Sequence, residues 1–189
     1  MISESASKRR SDEMTDYQQD NSIVSRMIRA ARLEPSLYEE VEHDRDATQQ
    51  AAFVVVGTSL AAGIGGGIVG GPVGLVVFPV ASLVGWALFA WLTYFIGTRW
   101  LAGPETEADW GELARALGFA SAPRALLIFG VVPALAVAVA VVVSIWVLFT
   151  TVIAIRQALD FSTGRAIATA IIGWIAQGIL IGVPLALLA

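Results

Sequence analysis

The sequence predicts an all-α membrane protein, a bundle of five transmembrane helices with short interfacial amphipathic helices. Three segments contain no Lys, Arg, Asp, Glu or His: residues 47–98, 125–155 and 166–189, which are 52, 31 and 24 residues long. A helix needs about 20 apolar residues to cross the hydrocarbon core of a bilayer, and charged groups are costly there. The chain is 56% hydrophobic and only 15% charged. These segments therefore predict several transmembrane helices.

The composition also excludes several classes of function. The net charge is −4, and the only basic run is the short one at Lys8–Arg10, so nucleic-acid binding is not expected. The chain contains no cysteine, which excludes disulfides and thiolate chemistry. The single histidine, His43, lies among acidic residues, and no His/Asp/Glu cluster has metal-ligand spacing. We therefore expect no metal and no other cofactor.

Residues 1–46 form a polar N-terminal region ahead of the transmembrane domain, residues 47–189. Residues 1–20 lack an apolar face and are expected to be a disordered tail. From Asn21 the apolar residues recur on one helical face, and arginines flank it. A basic amphipathic helix of this kind typically lies on an anionic membrane surface, although packing on the rest of the protein is an alternative. The residues predicted to contact the membrane surface are Arg26, Arg29 and Arg32.

A second short helix is expected from Ser36 to His43, because Pro35 suits the first turn of a helix. This helix is rich in acidic residues. Its apolar residues Leu37, Tyr38 and Val41 are expected to dock it at the membrane surface. Its carboxylates form the predicted docking surface for partner proteins: Glu39, Glu40 and Glu42.

The first transmembrane helix is expected to begin after Asp46, an N-cap with Gln49 at the capping-box position, and to end near Val69. Its second half is rich in glycine. Overlapping G-x-x-x-G spacings permit close helix–helix approach in lipid, although a substrate-lining role is an alternative. The cluster ends at Pro72 and is also expected to contain the turn into the second helix. The predicted helix-packing residues are Gly63, Gly66, Gly67, Gly70 and Gly71.

The second transmembrane helix is expected from about Pro72 to Thr98, and its aromatic end resembles an interfacial belt. Thr106, with Asp109 at the capping position, is expected to begin another amphipathic helix. This helix is predicted to lie in the membrane interface. Its apolar face consists of Trp110, Leu113, Ala114 and Leu117, and Trp110 is predicted to contact the membrane surface.

The segment 122–155 is ambiguous by length alone. One helix of this length would extend about 50 Å, whereas the hydrocarbon core is about 30 Å thick, and two helices would each be short. The final segment, residues 165–189, is a single span of ordinary length.

The distribution of cations favours a hairpin in the ambiguous segment. Seven Lys and Arg precede the first span, three lie within residues 99–124 and two within residues 156–165. Only a turn between Pro133 and Val141 places all twelve on one side, as the positive-inside tendency favours. The sequence therefore predicts five spans in the cell membrane, with a cytoplasmic N-terminus and the C-terminus outside.

The predicted spans contain no ionisable residue, and such residues are typical of proton relays and ion-coupled transport. Their serines, including Ser59 and Ser144, have no candidate base within the membrane. The polar side chains of the spans are expected to bond helix backbones or neighbouring helices. We therefore expect that the protein is not an enzyme.

Three segments are similar to those of a known family. The run RLEPSLYEEVE at residues 32–42 resembles the N-terminal segment of prokaryotic members of the Ypt-interacting-protein (YIP) domain family. The stretch LGFASAP at residues 117–123 is similar to that family's Gly-aromatic-x-x-x-Pro motif. Trp146, followed by AIRQAL at residues 154–159, also fits. The resemblance covers about residues 30–189.

The resemblance implies five transmembrane helices and a cytoplasmic N-terminus. Eukaryotic relatives are linked to small-GTPase-associated membrane traffic and carry an Asp-Leu-Tyr-Gly-Pro element that this chain lacks. We expect a non-catalytic scaffold or adaptor that binds membrane proteins or lipid, because the predicted spans carry no charge and the chain has two amphipathic segments and a glycine-rich packing surface. Its expected partners are the lipid bilayer and other membrane proteins or further copies of itself. The alternative is a small oligomeric transporter or pore subunit in which residues 63–74 form a flexible gate.

Overall fold

The computed structural model describes residues 21–67, 71–103, 106 and 108–188, and within them it contains helices and no strand. The predicted all-α fold is therefore confirmed. The predicted disordered tail, residues 1–20, lies outside the described residues. The described residues form seven α-helices and one 3₁₀ helix, in chain order α1 Ile23–Ala31, α2 Pro35–His43, α3 Ala47–Gly65, α4 Gly71–Arg99, α5 Trp110–Ala120, the 3₁₀ helix Ala122–Val131, α6 Pro133–Ala158 and α7 Thr163–Leu188.

Five stretches of the described chain are long and apolar enough to cross a membrane, which confirms the predicted number of spans. Four of them are single α-helices, and the remaining one joins α5 to the 3₁₀ helix over Trp110–Val131. Large apolar side chains are exposed along the outer faces of these helices, as expected for surfaces in contact with lipid. Examples are Val76 on α4, Val137 on α6 and Ile179 on α7.

The predicted turn between Pro133 and Val141 is wrong, because α6 is a continuous helix of 26 residues. The chain instead turns at Val132, which has an extended backbone. Pro133 then occupies the start of α6, where the missing backbone N–H of proline costs no hydrogen bond.

The amphipathic segment predicted to lie in the interface is also corrected. All residues from Leu113 to Ala120 are buried in the protein, because α5 forms the first half of the third span. Its N-cap is Asp109, whose side chain accepts the backbone N–H of Gly111, and Glu112 completes the capping box. Thr106 is not the cap. Its hydroxyl accepts the backbone N–H of Gly103.

The spans alternate in direction, so the N-terminal region, the connection 100–109 and the connection 159–162 lie at the same end of the bundle. Arg99, Arg156 and Arg165 therefore lie at or near this end. These three arginines stay at one end because the chain turns at Val132, whereas Arg115 and Arg124 lie within the third span.

Helices α1 and α2 cover this end of the bundle. The side chains of Leu37, Tyr38 and Val41 are fully buried and belong to the main hydrophobic core. They pack inside the protein, so their predicted docking at the membrane surface is wrong. Trp146 of α6 fixes the end of α1, because its indole N–H donates to the carbonyl oxygen of Ala31 at 2.7 Å.

The start of α3 is confirmed at Ala47, but the predicted capping box is not formed. Asp46 has a helical backbone conformation and its side chain caps no backbone N–H, so Gln49 has no capping partner. Helix α3 ends at Gly65, earlier than the predicted Val69. The predicted bounds of the second and last spans agree with α4 and α7 to within about two residues.

Candidate functional site

The N-terminal arginines lie in a network of ion pairs with α2. Arg26 is only 2% exposed, and its guanidinium donates to Glu40 at 2.9 Å and to Asp44 at 2.7 Å. Arg29 donates to Glu40 at 2.6 Å, whereas Arg32 is exposed. Burial alone would raise the pKa of Asp44, but hydrogen bonds from Arg26 and from backbone N–H groups hold it below its usual value. The geometry of Arg26 matches the packed-helix alternative, and a membrane-surface role for this segment stays a prediction.

The three acidic residues of α2 have different surroundings. Glu39 is exposed, and its carboxylate accepts the side-chain amide of Gln157 at 2.6 Å. Glu40 uses both oxygens to bind Arg26 and Arg29. Glu42 is 14% exposed, and its Oε2 has no hydrogen-bond partner among the described residues. Only Glu39 therefore presents an unburied and unpaired charge of the kind that the predicted docking surface needs.

Burial has the largest effect on the pKa of Glu42. Desolvation raises the pKa of its carboxyl to about 7, and the nearby acidic residues Asp160, Glu112 and Glu39 add to the increase while His43 opposes it. This carboxyl therefore changes its charge near neutral pH, unlike an exposed glutamate.

The predicted glycine cluster divides between the end of a helix and a turn. Gly63 is buried in α3, whereas Gly66, Gly67 and Gly71 are exposed. Gly67 and Gly71 have φ angles of 65° and 76°, which favour glycine, and a Cβ at either would meet no atom within 4 Å. Gly67 follows the end of α3 and Gly71 begins α4, and neither makes a close helix contact with the residues that the structure describes. Gly70 lies outside the described residues.

Close backbone approach occurs at other glycines. A Cβ at Gly65 would overlap the carbonyl oxygen of Leu127 in the 3₁₀ helix. A Cβ at Gly130 would lie 2.9 Å from the carbonyl oxygen of Gly65. At Gly118 it would lie 2.6 Å from the Cβ of Ala51, so α5 also packs closely on α3. The packing role predicted from glycine spacing therefore falls to Gly65 and its partners.

The bundle interior holds a cavity of about 270 Å³ between α3, α4, α5, α6 and α7. Gly85 lies 14 residues before Arg99, and Gln177 lies 14 residues after Thr163, so both are roughly 20 Å from the same end of the bundle. The cavity therefore lies deep within the spans. Its polar lining consists of Ser82, Ser121, Arg124, Thr151 and Gln177.

Hydrogen bonds and stacked aromatic rings hold the walls of this cavity. The Trp86 indole N–H donates to the carbonyl oxygen of Ala114 at 2.9 Å. The rings of Phe89 and Trp174 are stacked with their centroids 6.0 Å apart. The side-chain amide of Gln177 donates to the carbonyl oxygen of Gly85 at 2.6 Å and joins α7 to α4. These contacts give the cavity a defined shape without a bound ligand.

The expectation that no span contains an ionisable residue is wrong, because the third span includes Glu112, Arg115 and Arg124. Arg115 is satisfied by the protein, since its guanidinium donates to the carbonyl oxygens of Val41, at 2.9 Å, and Glu42. Arg124 lines the cavity and forms no side-chain hydrogen bond or ion pair with any described residue. The sequence pattern did not reveal its position, because Arg124 precedes the charge-free segment 125–155 and a cation there is typical of a residue outside the membrane.

Comparison with known proteins identifies the family. No curated protein and no solved structure matches the chain. The Yip1 domain, however, matches residues 35–183, which include the first four spans and all but the last residue of the fifth. This match covers well over half of the 189 residues and agrees with the resemblance in residues 32–42, 117–123 and 154–159. The chain therefore belongs to the Yip1 domain family of membrane proteins.

Proposed function

We propose that this membrane protein is a non-catalytic scaffold or adaptor that binds other membrane proteins or lipid. The observation that carries the proposal is the firm attachment of α1 and α2 to the end of the bundle. Leu37 and Tyr38 are fully buried, and Arg26 ties α1 to α2. A polar surface fixed to a membrane-spanning bundle can position a partner at the membrane without ordering a disordered segment first.

Glu39 is the centre of the proposed docking surface. It is exposed on α2, whereas Glu40 is engaged by two arginines and Glu42 is largely buried. Reversal of Glu40 would break the ion pairs that hold α1, so the loss of a partner in that variant would not prove docking.

The test of the adaptor function is therefore Glu39→Lys in the full chain, followed by affinity purification and identification of co-purifying proteins. We expect partners to be lost while membrane insertion and melting temperature stay unchanged. Asp46→Lys is the matched control, because Asp46 is exposed at the start of α3 and its side chain caps no backbone N–H. Unchanged co-purification with Glu39→Lys would refute the assignment of this surface.

We also propose that α1 and α2 face the cytoplasm and that the C-terminus lies outside the cell membrane. The support is the clustering of Arg99, Arg156 and Arg165 at the end that α1 and α2 cover. Because the chain has no native cysteine, single cysteines can be labelled cleanly. An impermeant reagent added outside should label a cysteine at Val132 and should not label one at Ser162. The reverse pattern would invert the proposed orientation.

The second candidate, a transporter or pore subunit acting as an oligomer, is favoured by the polar cavity within the spans. Flux measurements on reconstituted protein distinguish the two functions. Specific uptake that is abolished by Gly85→Leu, which would fill the cavity, would favour transport. Uptake that equals the value for empty vesicles would favour the adaptor.

A further inference from the structure

Arg124, which is partly buried, differs in its partners from the two buried arginines, Arg26 and Arg115. The guanidinium of Arg26 binds carboxylates, and that of Arg115 binds backbone carbonyl oxygens. The guanidinium of Arg124 forms neither kind of contact with the described residues, although it lies deep within the spans. An arginine side chain stays charged, and an unpaired charge away from bulk water is costly. Its environment is therefore incomplete without a negatively charged or strongly polar partner.

Two hydroxyl groups of the cavity are also without partners. Thr151 is 5% exposed, and neither its hydroxyl nor that of Ser82 forms a hydrogen bond with the described residues. The other polar lining groups already donate elsewhere: Ser121 to Gly118 at 2.7 Å, and Gln177 to Gly85 at 2.6 Å. The donors left facing the cavity are therefore the Arg124 guanidinium and these two hydroxyls.

This set of donors selects for a ligand rich in acceptor oxygens. A guanidinium binds the oxygens of a phosphate or carboxylate through paired hydrogen bonds, and hydroxyl groups can donate to the remaining oxygens. No acidic side chain lines the cavity, so a cation would gain no charged ligand there. The volume of about 270 Å³ equals the share of liquid occupied by about nine water molecules, which is enough for a phosphate group.

We propose that the cavity around Arg124 binds a phosphate group, held by the Arg124 guanidinium and the hydroxyls of Ser82 and Thr151. The apolar part of the lining, including Phe89, Leu117 and Trp174, suits the adjoining hydrocarbon of an anionic lipid. A lipid phosphate and a soluble phosphate share the same chemistry at Arg124. This inference deepens the lipid-binding part of the proposed function and does not depend on the docking surface at Glu39.

The first experiment measures binding to the purified full chain in detergent micelles. The probes are phosphatidic acid, phosphatidylcholine and inorganic phosphate. Trp86 and Trp174 line the cavity, so their fluorescence reports occupation directly, and the rise in melting temperature gives a second readout. We expect phosphatidic acid to bind, and phosphatidylcholine to bind at least about tenfold more weakly, because its head group has no net charge and is larger.

Substitutions in the lining of the cavity test whether phosphatidic acid binds there. Arg124→Gln is expected to weaken the binding of phosphatidic acid by at least about tenfold, and Thr151→Val by about threefold to tenfold, the loss typical of a hydrogen bond to a charged group. Arg45→Gln is the matched control, because Arg45 is exposed between α2 and α3 and does not line the cavity. Arg124→Gln is also expected to melt at or above the wild-type temperature without ligand, so weaker binding would not reflect misfolding.

The outcomes distinguish three cases: a lipid phosphate binds in the cavity, a soluble phosphate binds there, or neither does. Binding of phosphatidic acid alone, lost with Arg124→Gln, supports a lipid. Equal binding of inorganic phosphate, lost with the same variant, supports a soluble phosphate compound in the same site. Wild-type protein that binds neither probe, or Arg124→Gln that binds as well as wild type, overturns the proposal. Co-purification through Glu39 should be unchanged in Arg124→Gln, so this result is distinct from failure of the adaptor function.

Discussion

Two arginines of this protein, the buried Arg26 and the partly buried Arg124, differ in whether the chain supplies partners for their charge. Arg26, at the end covered by α1 and α2, is 2% exposed and is bound by Glu40, Asp44 and Gln50. Arg124, on the 3₁₀ helix in the bundle interior, faces a cavity and has no partner among the described residues. Buried charge is costly unless it is paired and hydrogen-bonded. At the covered end the chain thus supplies carboxylate partners for Arg26, whereas the interior has an unbalanced charge that a ligand can offset.

Arg115 connects these two regions. It lies on α5, in the same span as Arg124, but its guanidinium reaches the backbone carbonyl oxygens of Val41 and Glu42 on α2. The third span therefore begins by anchoring the N-terminal helices and continues inward to the cavity. A charge within a span is structural where the chain itself supplies acceptors, and a candidate binding group where it does not.

The largest expected effect comes from disturbing the support of the cavity. A side chain at Gly65 would overlap the Leu127 carbonyl oxygen, and backbone cannot move aside as a flexible side chain can. We expect Gly65→Leu to displace the 3₁₀ helix that carries Arg124 and to lower the free energy of unfolding by more than about 3 kcal/mol. Thermal unfolding in detergent measures the change. Gly66→Leu is the control, since Gly66 is exposed and has an ordinary helical backbone. Equal melting of the two variants would show that α3 and the 3₁₀ helix do not approach as closely as described.

The next effect tests the covered end. Arg26→Gln leaves Asp44 without its guanidinium and weakens the link between α1 and α2. Because the carboxylates of Glu40 and Asp44 are about one-third exposed, we expect a loss of about 2 to 3 kcal/mol, less than for a fully buried pair. Denaturant unfolding gives the value, and limited proteolysis should show faster cleavage in α1. A variant as stable as wild type would mean that apolar burial alone holds α1 and α2.

A pH experiment examines Glu42, the largely buried carboxyl of the covered end. Burial raises the pKa of Glu42 to about 7, from an ordinary value near 4.5. The folded state therefore binds this proton more tightly than the unfolded state, so its contribution to stability is full below about pH 4.5 and is lost as the pH rises to about 7. We expect Glu42→Gln to be more stable than wild type by about 2 kcal/mol at pH 8 and equally stable at pH 4.

Other groups near Glu42 also titrate. The informative quantity is therefore the difference in the free energy of unfolding between wild type and Glu42→Gln at each pH. Asp44 has a lowered pKa, and its contribution is lost as the pH falls, in both wild type and variant. Subtracting the two stability curves cancels this term. A difference that does not change between pH 4 and pH 8 would show that the Glu42 carboxyl is solvated.

The fold was predictable where a charged residue ends an apolar segment. The end of α4 follows from the position of Arg99 and the start of α7 from Arg165, and α2 follows from Pro35. The first half of the third span was not predicted, because Glu112 and Arg115 are typical of a connection outside the membrane. Those groups are accommodated by a capping box and by acceptors on α2, which are contacts that a linear pattern cannot show.

The candidate sites were less predictable, because they depend on contacts between distant parts of the chain. Glycine spacing identified the end of α3 but did not distinguish Gly65, which packs on the 3₁₀ helix, from Gly67, which forms a turn. The cavity draws its lining from several helices, and Arg124 and Gln177 are 53 residues apart in the sequence. The spacing of apolar residues predicts which face of a helix is buried, but it does not predict which other helix packs against that face.

The smallest expected effect gives the most direct comparison between the covered end, which contains Arg26, and the bundle interior, which contains Arg124. The same substitution, arginine to glutamine, is made at Arg124 and at Arg26. At Arg26 it removes a partner from carboxylates, whereas at Arg124 it removes a charge that no described residue balances. We expect Arg124→Gln to change the free energy of unfolding by less than about 1 kcal/mol without ligand, in the stabilising direction if at all, because the desolvation cost of the charge disappears. Denaturant unfolding of delipidated protein measures it. A loss as large as that of Arg26→Gln would mean that Arg124 supports the fold itself, and the distinction between a structural and a ligand-binding arginine would fail.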